Sequence, residues 1–225
     1  MAKYLVITRP LIDFEETAKI LHLSDYLPFS LPLSTVNHLN FELHKPYTNY
    51  IVTSKNAIKS LKNSNQLIQG NIIGLNGDYL EFPDVNIIKT GDNAESLVNF
   101  LEDNPAYLEN SIYLRGDNIT FNITEHFDNK IDEIIVYNTD YLDHLSEKQI
   151  NILQTNPVIT IFSVKAAETF IKLTESIKFN PIICCLSKKI AEYFPEKFSK
   201  NLYFSDTSNI NSFKQKLDEV IRCIK

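Results

Sequence analysis

The chain has 225 residues, 44% of them hydrophobic, and a formal net charge of −6. That length permits one large or two small domains with a sizeable core. The acidic balance disfavours a nucleic-acid or membrane-surface binder, which would more often be basic, and no segment approaches the ~20 apolar residues of a membrane helix.

In chain order, "KYLVIT" (3–8) reads as a strand and "DFEETAKILHL" (13–23) as a helix, with Phe14, Ala18 and Leu21 on one face. "LPFSLPLSTV" (27–36) is extended and marked by prolines. "NYIVT" (49–53) is a strand that runs into the helix "SKNAIKSL", with Ser54 or Thr53 as its cap. "NIIG" (71–74) and "VNIIK" (85–89) are short strands. "DNAESLVNFL" (92–101) is a helix in which Asp92 and Glu95 have capping-box spacing. "SIYL" (111–114) is a strand, 119–127 a helix and "IDEIIVY" (131–137) a strand. "PVITIF" (157–162) and "PIICCL" (181–186) are strands, followed by the helices "SVKAAETFIKL" (163–173) and "SKKIAEYF". "NLYFS" (201–205) is the last strand, and a closing helix covers roughly 208–224.

Strands alternating with helices predict βαβ units and parallel sheets. The unbroken apolar runs "VITIF" and "IICCL" fit strands covered on both faces. About ten strands exceed one small open sheet, so two sheets are expected. Ser54 and Ala57 of "IVTSKNA" echo Ser163 and Ala166 of "TIFSVKA", each at a strand-to-helix turn. Polar stretches at 35–41 and 138–143 are the expected crossings between lobes. The first lobe is then discontinuous, 1–35 plus 143–225, and the second is 41–138.

Cys184 and Cys185 are strand neighbours pointing to opposite faces, poorly placed to bond each other. With Cys223 they read as free or buried thiols in a reducing compartment. The N-terminal apolar run is too short for a signal peptide and is closed by Arg9-Pro10, so a cytoplasmic protein is expected.

Ligands of open parallel sheets bind outside the carboxyl ends of the strands. The informative residues there are Thr8-Arg9, Thr53-Ser54-Lys55-Asn56, Gly74, Arg115-Gly116, Tyr137, Ser163, Lys165, Ser187 and Lys188. Ser54, Ser163 and Ser187 read as N-caps, and capping alone is a sufficient role for each. The chain has three arginines, Arg9, Arg115 and Arg222, and the first two directly follow strands. Lys55, Lys165 and Lys188 fall in first helical turns, where a cation opposes the helix dipole by about 0.3–1 kcal/mol. Solvated surface lysines are the plain alternative. Together these positions suggest an anionic ligand held by backbone N–H groups and positive side chains. The five histidines lack metal spacing, and neither GxGxxG nor GxxxxGK[ST] nor GxSxG occurs.

"LVITRP", "LPFSLPLSTV", "YIVTSKNAIKSL", "TGDNAESLVNFL", "SIYLRGD", "IIVYNT", "ITIFSVKAAETF" and "CCLSKKIAEYF" come in an order that resembles the uroporphyrinogen-III synthase family across nearly the whole chain. The resemblance implies two α/β lobes, each with a parallel sheet flanked by helices, joined by a two-strand linker and facing each other across a cleft. It implies a lyase that closes hydroxymethylbilane to uroporphyrinogen III, inverting ring D and losing water, with no cofactor or metal; a monomer is expected. Tyr137 matches the family's tyrosine, proposed to hydrogen-bond the departing hydroxyl. A phenol keeps its proton at neutral pH and can donate it. Thr53-Ser54 and Ser163 match the family's strand-end hydroxyls, and Arg9 and Arg115-Gly116 its "TRP" and "RG" turns. The chain departs from the family pattern at Gly77 and Ile190, where threonine is usual, and at Ser187, where glycine is usual. Two rival readings are a catalytically weak or silent relative that binds an anionic small molecule in the interlobe cleft, and a nucleotide-dependent transferase.

Overall fold

The computed structural model describes residues 2–76, 82, 85–119 and 121–224. The chain divides into two units, Met1–Thr35 with Asp140–Lys225, and Val36–Thr139. It is mixed α/β, with parallel sheets flanked by helices.

The first unit carries a five-stranded sheet in the order β11-β10-β9-β1-β2. These strands are β1 (Lys3–Ile7), β2 (Tyr26–Ser30), β9 (Val158–Ile161), β10 (Ile182–Cys185) and β11 (Leu202–Phe204). Every pairing is parallel. Side-chain alternation sends Val6, Ile159, Ile161, Ile183 and Cys185 to one apolar layer, and Leu5, Ile7, Val158 and Cys184 to the other. Both layers are covered by helices, which is why the strand sequences read as continuous apolar runs. Among the covering helices, α6 (Val164–Leu173) contributes Phe170 to the first layer. The closing helix, α8 (Ile210–Ile224), contributes Phe213 and Leu217 to the second. Cys184 and Cys185 are free and lie on opposite faces. Burial pushes the Cys184 thiol up to about 12, which leaves it unreactive at neutral pH.

The second unit is built on the order β3-β8-β7-β4-β5-β6. Its strands are β3 (Ser34–His38), β4 (Asn49–Val52), β5 (Gly70–Gly74), β6 (Val85–Lys89), β7 (Ser111–Gly116) and β8 (Asp132–Tyr141). The β8-β7-β4-β5-β6 pairings are parallel. One face packs Tyr50, Val52, Ile72, Ile112 and Leu114 under α2 (Lys55–Asn63). The other packs Ile51, Ile73 and Tyr113 under α3 (Ala94–Asp103) and α4 (Ile123–His126).

Each unit has one place where the chain reverses its direction of travel across the sheet. In the first it lies between β1 and β9, and in the second between β4 and β7. Diverging connections leave a crevice at the carboxyl ends of such strand pairs.

Several elements differ from the sequence reading. The helix expected at 13–23 is a 3-10 turn, Leu11–Asp13, followed by α1 (Phe14–Ile20). The cap of α3 is Asn93 with Ser96, not Asp92 with Glu95, because the Asp92 carboxylate accepts from Asn76 Nδ2 at 2.9 Å. The helix expected over 119–127 shrinks to α4, capped by Asn122. The helix expected from Ser187 shrinks to α7 (Lys188–Ala191), beyond which Pro195 starts a 3-10 segment, Glu196–Asn201. A further helix, α5 (Glu147–Leu153), escaped the sequence reading, although Ser146 and Gln149 carry a capping box. The strand expected at 131–137 continues to Tyr141.

Candidate functional site

The crevice of the second unit holds a pocket of ≈240 Å³ lined by Thr53, Ser54, Leu75, Tyr113, Gly116, Phe121 and Tyr137 among others. Thr53 and Ser54 are there because β4 ends at Val52 and Ser54 caps α2, accepting from the Asn56 backbone N–H at 3.1 Å. Thr53 Oγ1 lies 2.9 Å from the Tyr113 hydroxyl. Gly116 ends β7, and the strand is irregular between Arg115 and Gly116 where it pairs with β8. The irregularity sets Gly116 opposite Tyr137, and the Asp117 backbone N–H then donates to the Tyr137 carbonyl at 3.1 Å. The site therefore places a phenol, a threonine hydroxyl and a helix N-terminus around one apolar-floored hollow. Such a set can donate hydrogen bonds to oxygen atoms and receive anionic groups.

The crevice of the first unit is organised round Arg9. Thr8 is buried and donates through Oγ1 to the Thr160 carbonyl at 2.6 Å, fixing the end of β1 to β9. The Arg9 guanidinium lies 4.8 Å from the Phe162 ring centroid, a cation–π arrangement that holds the charge at the strand ends. Ser163 follows at once as the cap of α6, accepting from the Ala166 N–H at 3.1 Å.

A larger hollow of ≈650 Å³ among Leu43, Tyr47, Gln66, Leu67, Gly70 and Asn110 lies at the amino ends of β4, β5 and β7. It holds none of the strand-end groups and sits at the end of the sheet where such folds do not bind ligands. Among the described residues no cluster of His, Cys, Asp or Glu could hold a metal ion, and no helix is long and apolar enough to cross a membrane.

A sequence model of the family described as uroporphyrinogen-III synthase HemD matches residues 79–214. The chain belongs to the uroporphyrinogen-III synthase family. No curated protein matches it by sequence. Among solved structures it is similar to the uroporphyrinogen-III synthetase of Helicobacter pylori 26695, with 15% identity, a TM-score of 0.58, and coverage of 99% of this chain and 100% of that one. It is also similar to a mutant uroporphyrinogen III synthase from the extremely thermophilic bacterium Thermus thermophilus, with 8% identity, a TM-score of 0.57 and the same coverage, 99% and 100%. At such identities the likeness carries the fold.

In this member of the uroporphyrinogen-III synthase family the positions singled out in the sequence fall into three groups. Thr53, Ser54, Gly116 and Tyr137 share one pocket. Thr8, Arg9 and Ser163 meet at the other unit's strand ends. The third group departs in part from the expectation of positive side chains turned to an anionic ligand. Arg115 Nε and Nη2 donate to the Glu133 carboxylate at 3.1 and 2.8 Å, and Nη1 donates to the Gly116 carbonyl at 3.0 Å. Its fork is filled from within the unit, because Glu133 occupies the neighbouring strand. Lys165 is paired with Glu168 at 3.0 Å, one helical turn on. Ser187 stands at the N-cap position of α7 but makes no capping hydrogen bond. Lys55 and Lys188 are exposed in first helical turns, and Asn56 is half-buried. Gly74 is buried at the end of β5, where its carbonyl accepts from Thr90. Gly77 lies outside the described residues. Ile190, read as a lost cleft hydroxyl, is 5% exposed inside the apolar layer with Phe194 and Phe198. Its side chain faces the core.

The sequence reading missed Tyr113 and Phe121. Tyr113 looked like one more core aromatic of "SIYL". The available signal was parity: Tyr113 is two residues from Arg115 in β7, level with Ile51 of β4, whose next same-face neighbour is Thr53.

Proposed function

We propose that the chain is a uroporphyrinogen-III synthase, a lyase that converts hydroxymethylbilane to uroporphyrinogen III with inversion of ring D and loss of water. The observation that carries this reading is the meeting of Tyr137, Thr53, Ser54 and Gly116 in one pocket at the direction reversal of the second sheet, in a chain whose family is known.

The chemistry asks little covalent work of the protein. The terminal pyrrole nitrogen pushes its electron pair toward the hydroxymethyl carbon, and the carbon–oxygen bond breaks. The Tyr137 phenol donates to the departing oxygen, which leaves as water once a proton is supplied. The substituted carbon of ring D attacks the resulting electrophile. Its older bond to the methylene bridge then breaks, leaving an electrophile on ring C. The free carbon of ring D attacks that bridge and loses its proton, which closes the macrocycle with ring D inverted. Lowering the barrier is then a matter of positioning and of hydrogen bonds aimed where charge develops. The substrate's carboxylates are held by Arg9, by the backbone N–H groups behind Ser54 and Ser163, and by Lys55, Asn56, Lys165, Ser187 and Lys188 at the strand ends. Arg115 acts indirectly, by fixing Gly116 under Tyr137. The reading takes 1–35 plus 143–225 and 41–138 as the two lobes, with linker strands near 35–41 and 138–143. It takes the enzyme as a cytoplasmic monomer.

The test is to supply freshly generated hydroxymethylbilane and resolve the product isomers. Formation of the type III isomer in proportion to enzyme supports the reading. Type I alone, which also forms without enzyme, overturns it.

A further inference from the structure

We propose that Tyr113 is a positioning residue: its buried phenol donates to Thr53 Oγ1 and thereby turns the Thr53 hydroxyl proton into the pocket, toward an anionic or departing oxygen of the substrate. The inference rests on the ring-closure reading above and adds a residue to it.

The two oxygens are 2.9 Å apart, and geometry alone permits either to donate. Burial decides the direction. Tyr113 is 2% exposed, and Thr53 is its hydroxyl's partner among the described residues. Both residues line the pocket, but solvent reaches Tyr113 far less than Thr53, so a phenolic proton not given to Thr53 would have almost nothing else to meet, which costs more than a lost hydrogen bond. Thr53 is half-buried and lines the pocket, so its own proton can reach a ligand or water. The arrangement with every group satisfied has Tyr113 donating and Thr53 facing inward as a donor. Burial also raises the Tyr113 pKa, so the phenol keeps its proton throughout the neutral range. The ring is held by the apolar layer of Ile51, Leu97, Val98 and Ile123, which fixes the hydroxyl's position. A threonine hydroxyl otherwise rotates freely among its staggered orientations. Here one of its lone pairs is anchored.

The experiment is a double-mutant cycle of Tyr113→Phe and Thr53→Val on the full chain, read in kcat/KM for type III formation and in the affinity for uroporphyrin III, a polycarboxylate tetrapyrrole. Each single change is expected to lower both by about 3- to 10-fold, the worth of one hydrogen bond. The double variant is expected to be no worse than Thr53→Val, because Tyr113 acts through Thr53. Melting temperature supplies a separate readout. Thr53→Val strands the buried phenol and is expected to destabilise more than Tyr113→Phe, with recovery in the double variant. Effects that multiply in the cycle overturn the positioning role, even when type III product confirms ring closure. Type I product alone from the wild-type chain, with coupled losses of uroporphyrin affinity, overturns ring closure and leaves the hydroxyl pair standing.

Discussion

A Cβ added to Gly116 would lie 2.6 Å from Tyr137 Cζ and 2.8 Å from its hydroxyl oxygen. Real Cβ atoms do not approach rings so closely. The absence of a side chain at Gly116 is therefore what lets the Tyr137 ring lie against the end of β7 with its hydroxyl in the pocket. Gly116→Ala is expected to push the ring aside and lower turnover by at least about tenfold, as a misplacement near 1 Å does. In a Tyr137→Phe background the same change is expected to cost much less. Steady-state rates for the two single variants and the double check this.

Tyr137 itself is half-buried, packed against the layer of Val52, Leu114 and Val136. Phenylalanine keeps that packing and removes only the donor. Tyr137→Phe is expected to lower kcat by about one to two decades, within the range for loss of a donor to developing charge or of a proton-transfer partner. KM and melting temperature should change little. Unchanged turnover removes the phenol from the mechanism.

Arg9 holds a different part of the substrate in this account. Its guanidinium lies against Phe162, and Nη1 reaches Thr17 Oγ1 at 3.4 Å. A carboxylate held there is held in the ground state and the transition state alike. Arg9→Met is expected to raise KM more than it lowers kcat. Arg9→Lys is expected to restore only part of the affinity, because lysine lacks the flat, forked guanidinium. Substrate titrations of both variants provide the check.

How much of this was legible in the sequence depended on the distance of each partner. Strand ends and their caps were legible because they are local: Ser54 and Ser163 each accept from an N–H two or three residues on. The family order of motifs singled out Tyr137, but as a strand-end residue, whereas β8 runs on to Tyr141 and Tyr137 lies within the strand. What escaped were partnerships across strands. Nothing in "SIYLRGD" or "IDEIIVY" states that Arg115 and Glu133 will meet, because the register that sets Glu133 opposite Tyr113, diagonal to Arg115, is decided between strands and not within either one. Nor does "CLSKKIAEYF" reveal that Ile190 turns inward, since a one-turn helix has too few residues to show a period. The same shortness hid α5, whose capping box was the better signal.

The Arg115–Glu133 pair gives the protein a readable pH dependence. Glu133 accepts from Arg115 and also from Thr124 Oγ1 at 2.8 Å. The Arg115 hydrogen bonds hold the Glu133 carboxyl below the usual glutamate range, ahead of the opposing effect of burial. A folded-state pKa below the unfolded one adds stability that is complete above about pH 4.3 and is lost as pH falls through the lowered value. Glu133→Gln is expected to lower the melting temperature at neutral pH and to flatten its decline between about pH 5 and pH 3. Arg115→Met is expected to act in the same direction, with a smaller rise in KM than Arg9→Met. Thermal denaturation across that pH range, run beside wild type, is the measurement.

Ile190 decides whether the family's usual threonine is missing from the site or only from the core. The side chain is buried in the apolar layer that also holds Ile183, Cys185, Phe194 and Phe198. Ile190→Thr would remove apolar volume and bury a hydroxyl, at a cost of about 1–3 kcal/mol. For a unit of this size that is a loss of several degrees in melting temperature, with turnover per folded molecule unchanged. Mutation is informative in both directions. A gain in type III formation without loss of stability would mean that the hydroxyl reaches substrate and that Ile190 belongs to the binding surface. A destabilised protein of unaltered specific activity would mean that ring closure in this chain proceeds on Tyr137, Thr53 and the helix N-termini alone.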